Sequence, residues 1–504
     1  GFSAERVVND IEVISKEHHS VAHPEERAKV REYLVERLEG LGADTVQIFR
    51  YDSLVGPQNK HVVYTFDAYD VLAEFPPLQA SQDTTYMMFV AHYDSRYSQP
   101  VLKDTVWSYG AADDGYGVGV TLETVSQALK FRDQWKQGIK VLFTDAEEVG
   151  MMGMKAIWEN DRQVFDNVGL MINIEARGPW GPALLFEACP GNEKVMELYD
   201  DAAKYPYTYS LTTVVYSFMP NFTDFTIVKD SIPGLNFSTI ADVNHYHTDL
   251  DNFSNVSAKS IQHYGAQILP ITKTYLTGEQ YADRDSLKAD SDATNFTIPL
   301  LGLFNFSKTG YLIINIAIFL LFLLVFALEG VRGRIKAAKV FKVSASVLGL
   351  AVAVLALGEL VAYVCAAAVG AKFKPFGIMA GISFDNIAMI VTTAVIFLLT
   401  VWGYAILRKK AVMKTAGSMR ASAGVAAASR YACNTLYGAL ALMFLLSAVL
   451  VAVLGENLMF FVPLTFATGG LIFWRLTGWR FWLVASIALI LLHAFSFLYA
   501  LAMA

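Results

Sequence analysis

Apolar and polar residues are distributed differently in the two parts of this chain. Up to about residue 280, apolar runs of strand length alternate with longer segments in which apolar residues recur with helical spacing. Beyond residue 305, long apolar stretches follow one another with only short polar breaks. We therefore expect an α/β domain over residues 1–280, a polar linker over residues 281–305 and a helical membrane domain over residues 306–504.

The first part of the chain alternates between predicted strands and predicted helices. Helices are predicted in 2–38 (two of them, joined by a turn), 117–129, 191–205 and 260–276, and strands in 45–51, 61–73, 87–91, 141–143, 170–174 and 234–240. This alternation is typical of one α/β domain with helices on both faces of a central sheet. The first turn contains His18, His19 and His23, which we interpret as turn or surface residues rather than ligands.

Residues that commonly bind metals follow five of the apolar runs directly. They are His92 and Asp94, Asp113 and Asp114, Glu147 and Glu148, Glu175, and the cluster His245, His247, Asp249 and Asp251. In an open α/β sheet, ligands bind at the carboxyl ends of the strands, so these side chains are expected to converge. A lone Glu-Glu pair is usually a solvated acidic loop, but five such stretches together indicate a metal site.

The mixture of residue types indicates which metal would bind. Histidine together with carboxylates suits zinc, whereas magnesium or calcium favours oxygen ligands alone. Two ions about 3.5–4 Å apart need a bridging carboxylate and further ligands on each side. The candidate zinc ligands are His92, Asp113, Glu148, Glu175 and His247. Glu147 then remains as a general base.

The order of these motifs resembles a known family. His-x-Asp, Gly-Ala-x-Asp-Asp, Glu-Glu, Asn-x-Glu-Ala-Arg-Gly and Tyr-His-Thr-x-x-Asp are similar to the motifs of co-catalytic zinc aminopeptidases, a family that includes aminopeptidase Y and glutaminyl cyclase. Residues 220–225 and 232–237 resemble the membrane-bound branch, which contains endoplasmic-reticulum and vacuolar membrane metallopeptidases and their bacterial relatives. The resemblance covers roughly the first 280 residues and implies a mixed sheet flanked by helices.

The resemblance implies a role for each residue of the candidate site. Asp113 would bridge two Zn²⁺ ions, His92 and Glu175 would complete one ion, and Glu148 and His247 the other. Glu147 would be the general base. Asp94 would be the partner of His92, and Asp251 the partner of His247. Three further residues would lie near the substrate: Asp224, Arg177 and Tyr246.

Two positions depart from the usual pattern of this family. The ligand position of Glu175 is Asp in many soluble members, whereas Glu is common in the membrane branch. Tyr116 occupies a position that is usually small, and we expect it to narrow the substrate pocket. The size of the preferred substrate residue therefore stays open.

The composition agrees with a membrane protein. Hydrophobic residues make up 54% of the chain and the mean hydropathy is +0.37, which is high for a soluble protein. Six stretches are long enough to cross about 30 Å of hydrocarbon: 311–328, 343–369, 377–407, 431–454, 458–474 and 481–503. The lipid bilayer is therefore an expected partner. Three cysteines cannot form a disulfide framework.

The charges between these stretches predict their orientation. Arg and Lys concentrate after the first, third and fifth stretches and are sparse after the second and fourth. By the positive-inside rule, the first, third and fifth loops are cytoplasmic, and the peptidase domain is periplasmic, extracellular or lumenal. An export signal or an N-terminal anchor is then expected ahead of Gly1. The net charge of −7, without a basic patch in the first 300 residues, argues against nucleic acid as a partner.

Three functions are compatible with these patterns. The first is a membrane-anchored di-zinc aminopeptidase that acts on peptides with a free N-terminus. The second is a glutaminyl cyclase-like acyltransferase with one zinc. The third is a transport or partner-binding protein with a peptidase-like outer domain. Glu359 and His493 fall near mid-membrane and Asp385 nearer an outer end; we expect Glu359 and His493 to face the bundle interior, in a transport or a helix-packing role. The sequence does not predict the oligomeric state.

Overall fold

The computed structural model describes residues 1–56, 65–97, 99–101, 104–217, 221–368 and 421–503. The chain divides into two compact units, one formed by residues 1–311 with 499–504 and the other by residues 312–498. The first unit contains all the candidate site residues. The second unit contains most of the apolar helical segments.

The first unit combines eight described helices with eleven described strands. The helices are α1 Ala4–Ile14, α2 Pro24–Gly40, α3 Gly115–Ala128, α4 Met152–Asn160, α5 Glu193–Ala202, α6 Ser210–Ser217, α7 Asp224–Val228 and α8 Ala258–Thr277. The strands are β1 Thr45–Val55, β2 Thr65–Phe75, β3 Tyr86–His92, β4 Gln99–Val101, β5 Asp104–Val106, β6 Gly138–Thr144, β7 Val168–Ala176, β8 Leu184–Ala188, β9 Gly234–Thr239, β10 Thr294–Ile298 and β11 Gly302–Phe306.

Seven of these strands form one mixed sheet in the order β1-β2-β6-β3-β7-β9-β8. The central strands β6, β3, β7 and β9 are parallel, whereas β1, β2 and β8 run antiparallel to their neighbours. The central strands are buried along nearly their whole length, and β3, β6 and β7 are mostly apolar, as expected for parallel strands covered by helices. Helices α1, α3 and α8 pack together, and α3 contacts β3 and β7. The predicted α/β class with a mixed, helix-flanked sheet is confirmed.

The polar segment 281–305 is not a simple linker. It contains the hairpin of β10 and β11, in which Phe296 stacks on Phe304 with ring centroids 5.3 Å apart. Before the hairpin, the carboxylate of Asp292 accepts hydrogen bonds from the backbone N–H groups of Gly191 (2.8 Å) and Asn192 (3.3 Å). The aspartates that suggested a linker thus tie the segment to the first unit, which extends to Tyr311 instead of ending near residue 280.

The helices of the apolar part are α9 Lys308–Val331, α10 Ala337–Ala368, α11 Ala421–Leu454, α12 Leu458–Thr477 and α13 Phe481–Met503. Four segments of the described part are long and apolar enough to cross a membrane: Lys308–Val331, Ala337–Val361, Arg430–Leu454 and Leu458–Thr477. The predicted stretch 481–503 lies in α13. The predicted stretch 377–407, with Asp385, lies outside the described residues.

A buried ion-pair cluster lies at the end of α9. The carboxylate of Glu329 is 1% exposed and contacts Arg475 of α12 (2.7 Å) and Arg334 (3.2 Å). Glu359 and His493 are the polar residues predicted from the sequence to lie inside the membrane. Glu359 is half-buried on α10, and His493 is buried on α13. The Glu329 cluster therefore connects α9 with α12, two helices of the second unit that are distant in sequence.

Candidate active site

The candidate ligands lie at the carboxyl ends of neighbouring parallel strands. His92 is the last residue of β3, and Glu175 is the second-last residue of β7. Glu148 lies in the loop between β6 and α4, and His247 follows β9. Asp113 lies just before α3. Because the parallel strands end at the same edge of the sheet, residues far apart in sequence meet there, as the sequence analysis predicts.

Five side chains form two overlapping groups around Asp113. The ligand atoms of His92, Asp113 and Glu175 lie within 4.8 Å of one another, and those of Asp113, Glu148 and His247 do the same. Asp113 Oδ1 is 3.1 Å from His92 Nε2, and Asp113 Oδ2 is 3.3 Å from His247 Nε2. The two oxygens of one carboxylate therefore face two different groups, which is the geometry of a bridging ligand.

Several atoms of these groups are buried without a hydrogen-bond partner. They include Asp113 Oδ2, Glu148 Oε1 and His247 Nε2. Buried polar atoms are costly unless they are satisfied, and imidazole nitrogens with carboxylate oxygens are the donor set that zinc takes. The residues present therefore fit zinc.

The electrostatics of the site also favour cations. Burial raises the pKa of Glu175 well above its usual value, and repulsion from Asp114 and Asp113 raises it further. Burial likewise raises the pKa of Glu147, with Glu175 and Glu148 adding to the effect. Such a crowd of carboxylates needs positive charge nearby to stay ionised, and divalent cations supply that charge.

Asp94 connects the two loops that carry the site. Its backbone carbonyl accepts a hydrogen bond from His92 Nδ1 at 2.9 Å, so in the neutral ring Nε2 is the nitrogen that can bind a metal. Its carboxylate accepts hydrogen bonds from the backbone N–H groups of Glu147 (3.0 Å) and Glu148 (3.2 Å). Asp94 thus contacts His92 and also holds the Glu147–Glu148 turn.

Asp251 does not have the predicted position beside His247. Its Oδ1 accepts a hydrogen bond from the N–H of Ala112 (2.7 Å), and its Oδ2 accepts from the N–H of Asp113 (3.3 Å) and the hydroxyl of Ser108 (3.1 Å). Asp251 therefore supports the backbone of Asp113. The expectation was wrong because short sequence spacing to His247 does not determine which way the side chain points.

Replacing Asp251 by Asn should weaken zinc binding. The amide has only one acceptor oxygen, and its NH₂ group would face a backbone N–H that now donates to Asp251. We expect zinc affinity to fall about tenfold to a hundredfold, the usual effect of losing such a supporting group. Competition with a chromogenic chelator measures this. Asp249→Asn removes an exposed carboxylate from the same loop and serves as the matched control. Equal zinc affinity in both variants would contradict the prediction.

The three residues predicted near the substrate have different surroundings. Tyr246 stacks on the His247 ring with centroids 3.5 Å apart, and the Arg177 guanidinium lies 5.8 Å from the centre of the Tyr246 ring. Asp224 is only 1% exposed and accepts a hydrogen bond from the Thr144 hydroxyl. Burial raises the pKa of Asp224 to about 6. Tyr246 thus lies against His247 and Arg177 lies near Tyr246, whereas Asp224 is buried beside the last residue of β6.

Tyr116 does not narrow a pocket. It is fully buried, its hydroxyl donates to the carbonyl of Pro179 (2.7 Å), and it accepts from the N–H of Ser257 (2.7 Å). The bulky side chain therefore fills the interior and joins two loops beside the site. Its position in the first turn of α3 turns it inward.

Arg96 is a site residue that the sequence analysis missed. Its guanidinium donates hydrogen bonds to the backbone carbonyl of Glu148 (2.6 Å) and to Glu148 Oε2 (3.1 Å). Burial opposes ionisation of Glu148, but His247 and Arg96 outweigh it and lower the pKa of this carboxyl. The sequence shows an arginine four positions after His92. Arginine is too common on protein surfaces for this spacing to indicate a site residue.

Close packing around Gly153 fixes the turn that carries Glu147. A Cβ on Gly153 would lie 2.3 Å from both the Asp145 carbonyl oxygen and Asp70 Oδ1, so only glycine fits there. Asp70 is fully buried and accepts a hydrogen bond from the N–H of Asp145 at 2.8 Å. The backbone on both sides of the two glutamates is therefore fixed by contacts that do not touch the candidate ligands.

The sequence of this chain matches one described family over its first unit. Residues 70–272 match the model of Peptidase family M28. Endoplasmic reticulum metallopeptidase 1 of Rattus norvegicus is 27% identical over 231 residues, which are 44% of this chain and 24% of that protein. Vacuolar membrane protease of Yarrowia lipolytica is 25% identical over 241 residues, 47% of this chain and 23% of that protein. The chain spans about a quarter of the length of these relatives.

Solved structures show weaker similarity. A glutaminyl cyclase from Bacteroides thetaiotaomicron has a TM-score of 0.44 and 17% identity, and covers 55% of this chain and 98% of its own. A zinc aminopeptidase from Bacillus subtilis has a TM-score of 0.42 and 13% identity, and covers 57% of this chain and 99% of its own. Neither similarity bears on which reaction this chain performs.

Proposed function

We propose that this chain, whose residues 70–272 match the model of Peptidase family M28, is a membrane-bound di-zinc aminopeptidase that removes N-terminal residues from peptides outside the cytoplasm. The observation that carries the proposal is the position of Asp113. Its two carboxylate oxygens face the ring nitrogens of His92 and His247 separately, so that each histidine belongs to its own ligand group. A single-ion site would not require a shared carboxylate.

The five candidate ligands would divide between two ions. His92 and Glu175 would hold one, Glu148 and His247 the other, and Asp113 would contact both. When bound, zinc would polarise the substrate carbonyl and lower the pKa of water. The acidic surroundings favour a cationic N-terminus over the carboxylate end of a peptide, which supports an aminopeptidase.

In the proposed reaction, Glu147 would move the proton. Its carboxylate lies 3.9 Å from His92 Nε2, at the edge of the first ligand group, and it is more exposed than Glu148. In the proposed reaction it takes a proton from the attacking water and passes it to the nitrogen of the leaving peptide. The C–N bond breaks, and the remaining OH completes the new carboxyl group.

The charge distribution supports an extracytoplasmic site. Five basic residues follow the first apolar stretch, within residues 332–342, and more follow the third and fifth stretches. Basic loops stay on the cytoplasmic side, so the chain ahead of the first stretch lies on the other side. The substrates would then be peptides of a periplasmic, extracellular or lumenal space.

Mass spectrometry of reaction products tests the proposal. The full chain, loaded with Zn²⁺, would be incubated with three matched peptides that carry a free, an N-acetylated or an N-terminal Gln end. Glu147→Gln serves as the inactive control. We expect single residues to be lost from free ends only, and no product from the control.

Other outcomes would point elsewhere. Loss of ammonia from the Gln peptide without cleavage would establish a cyclase and overturn the proposal. No change in any peptide, with two zinc ions bound per chain, would also overturn it. The second unit, with its buried Glu329 cluster, would then be the place to search for the function.

A further inference from the structure

A line of polar side chains crosses three strands of the sheet. Asn173 of β7 pairs in register with Asn236 of β9, and Asn236 pairs with Glu187 of β8. Both asparagines are fully buried and Glu187 is 2% exposed. Since paired residues on neighbouring strands point to the same face, the three side chains lie side by side. The line begins two residues from the candidate ligand Glu175, on the same face of β7.

Hydrogen bonds connect this line from the surface to the candidate ligand. Lys229 Nζ donates to Glu187 Oε1 (2.6 Å), and Asn236 Nδ2 donates to Glu187 Oε2 (3.0 Å). Asn173 Nδ2 then donates to Asn236 Oδ1 (2.9 Å) and to Glu175 Oε1 (3.2 Å). The Lys229 side chain is 27% exposed, so the line reaches solvent at its far end. We call these five residues the Lys229–Glu175 relay.

The charge of Glu187 determines which way each amide of the relay points. An ionised carboxylate only accepts hydrogen bonds, so Asn236 must turn its NH₂ group toward Glu187. Its second N–H donates to the hydroxyl of Thr223 at 3.0 Å. The carbonyl oxygen of Asn236 is then left for Asn173, which must present its own NH₂ group both to Asn236 and to Glu175.

We propose that the Lys229–Glu187 pair positions the metal ligand Glu175 through the relay. This inference rests on the proposed function, because it assigns a role to ligands of that site. Asn173 donates to Glu175 Oε1, which leaves Oε2 facing His92 Nε2 at 3.7 Å, inside the first ligand group. The relay thus selects the oxygen of Glu175 that meets the ion. Lys229 and Glu187 are positioning residues, since they contact neither the ion nor the substrate.

A purely structural role would not account for this arrangement. Burying a charged pair and two amides costs free energy, and apolar side chains of similar volume are often as stable or more stable. The relay also leaves Asn173 Oδ1 buried without a hydrogen-bond partner, which is a further cost. This cost is balanced if the ordered NH₂ group of Asn173 is what the site requires.

The test removes the charge at the far end of the relay without leaving a lone buried charge. The double variant Glu187→Gln/Lys229→Met loses both charges together, whereas Lys229→Arg keeps the pair. Zn²⁺ is titrated into the metal-free full chain against a chromogenic chelator, which resolves the two binding events. Thermal unfolding of the metal-free chain shows whether each variant is folded.

We expect the double variant to weaken one of the two zinc-binding events by about tenfold to a hundredfold, as changes around metal ligands usually do. The other event should change less than about twofold, and the unfolding midpoint of the metal-free chain should stay the same. Lys229→Arg should match the unmodified chain in all measurements. Selective loss at one event, with recovery in Lys229→Arg, supports the relay.

Two results would overturn the inference. Unchanged affinity for both ions in the double variant would mean that Glu175 does not depend on Glu187. Equal weakening of both events together with a lower unfolding midpoint would mean that the relay only stabilises the fold. If the unmodified chain bound no zinc, the proposed function itself would fail. That failure differs from a failure of the relay, because it is seen in the unmodified chain.

Discussion

Replacing Glu147 by Gln should lower kcat for peptide hydrolysis by about a hundredfold to ten-thousandfold while the chain keeps both zinc ions. Removal of a general base typically has an effect of this size. Gln has nearly the same shape as Glu, but its amide cannot accept a proton at neutral pH. The measurements are kcat on a peptide with a free N-terminus and the zinc content per chain. KM should change little, because Glu147 acts on the attacking water.

The neighbouring residue supplies a demanding control for this prediction. Glu148 lies next to Glu147 in the same turn, but it contacts His247 (3.2 Å) and Arg96 (3.1 Å) in the second ligand group. Glu148→Gln should therefore lose zinc as well as activity, whereas Glu147→Gln should lose activity alone. If Glu147→Gln also released a zinc ion, Glu147 would be a ligand and the assignment of the base would be wrong.

Replacing Asp113 by Asn should have the largest effect of any single substitution on metal content. Asn has one oxygen, and its NH₂ group would face one of the two ions that the carboxylate is placed to share. We expect the zinc content to fall from two ions per chain to one or fewer, and hydrolysis to fall below detection. Metal analysis after gel filtration measures the first, and the peptide assay measures the second.

Candidate ligands that belong to only one of the two ligand groups provide the comparison for Asp113. Glu175→Gln and Glu148→Gln each change one ligand group, so each should retain one ion more firmly than Asp113→Asn does. Asp201→Asn changes an exposed carboxylate on α5 and should keep two ions. A full zinc content in Asp113→Asn would exclude a bridging role and would favour a site with one ion.

Local pattern was sufficient to predict much of this architecture. The strands that carry His92 and Glu175, and the strand that precedes Glu148, contain short apolar runs, and the polar residues that follow each run are visible in the sequence. Burial of the central strands leaves few other positions for such residues. The edge of the sheet where the ligands meet then follows from the parallel direction of these strands.

Side-chain partners that are distant in sequence were beyond the reach of local pattern. Asp251 contacts residues about 140 positions earlier, and Arg475 contacts Glu329 from 146 positions away. Tyr116 turned inward because the carbonyl of Pro179 and the N–H of Ser257 are placed to bond its hydroxyl. Each of these outcomes depends on how separate segments pack, which short-range periodicity does not encode.

The hairpin of β10 and β11 is another element that local sequence pattern did not predict. Residues 281–305 have the composition of a linker, and only the pairing of Phe296 with Phe304 and the bonds of Asp292 reveal an ordered element. Polar composition alone does not separate a solvated segment from one whose polar groups are bonded to a neighbouring domain.

The register of β7 and β9 limits which insertions and deletions this part of the chain can accept. Side chains alternate between the two faces of a strand, so a one-residue insertion before Asn236 would turn it to the opposite face. A two-residue change would restore the face but shift the pairing with Asn173 and Glu187. Length changes in the ancestry of this domain are therefore expected to accumulate in the loops, and hardly at all within these strands.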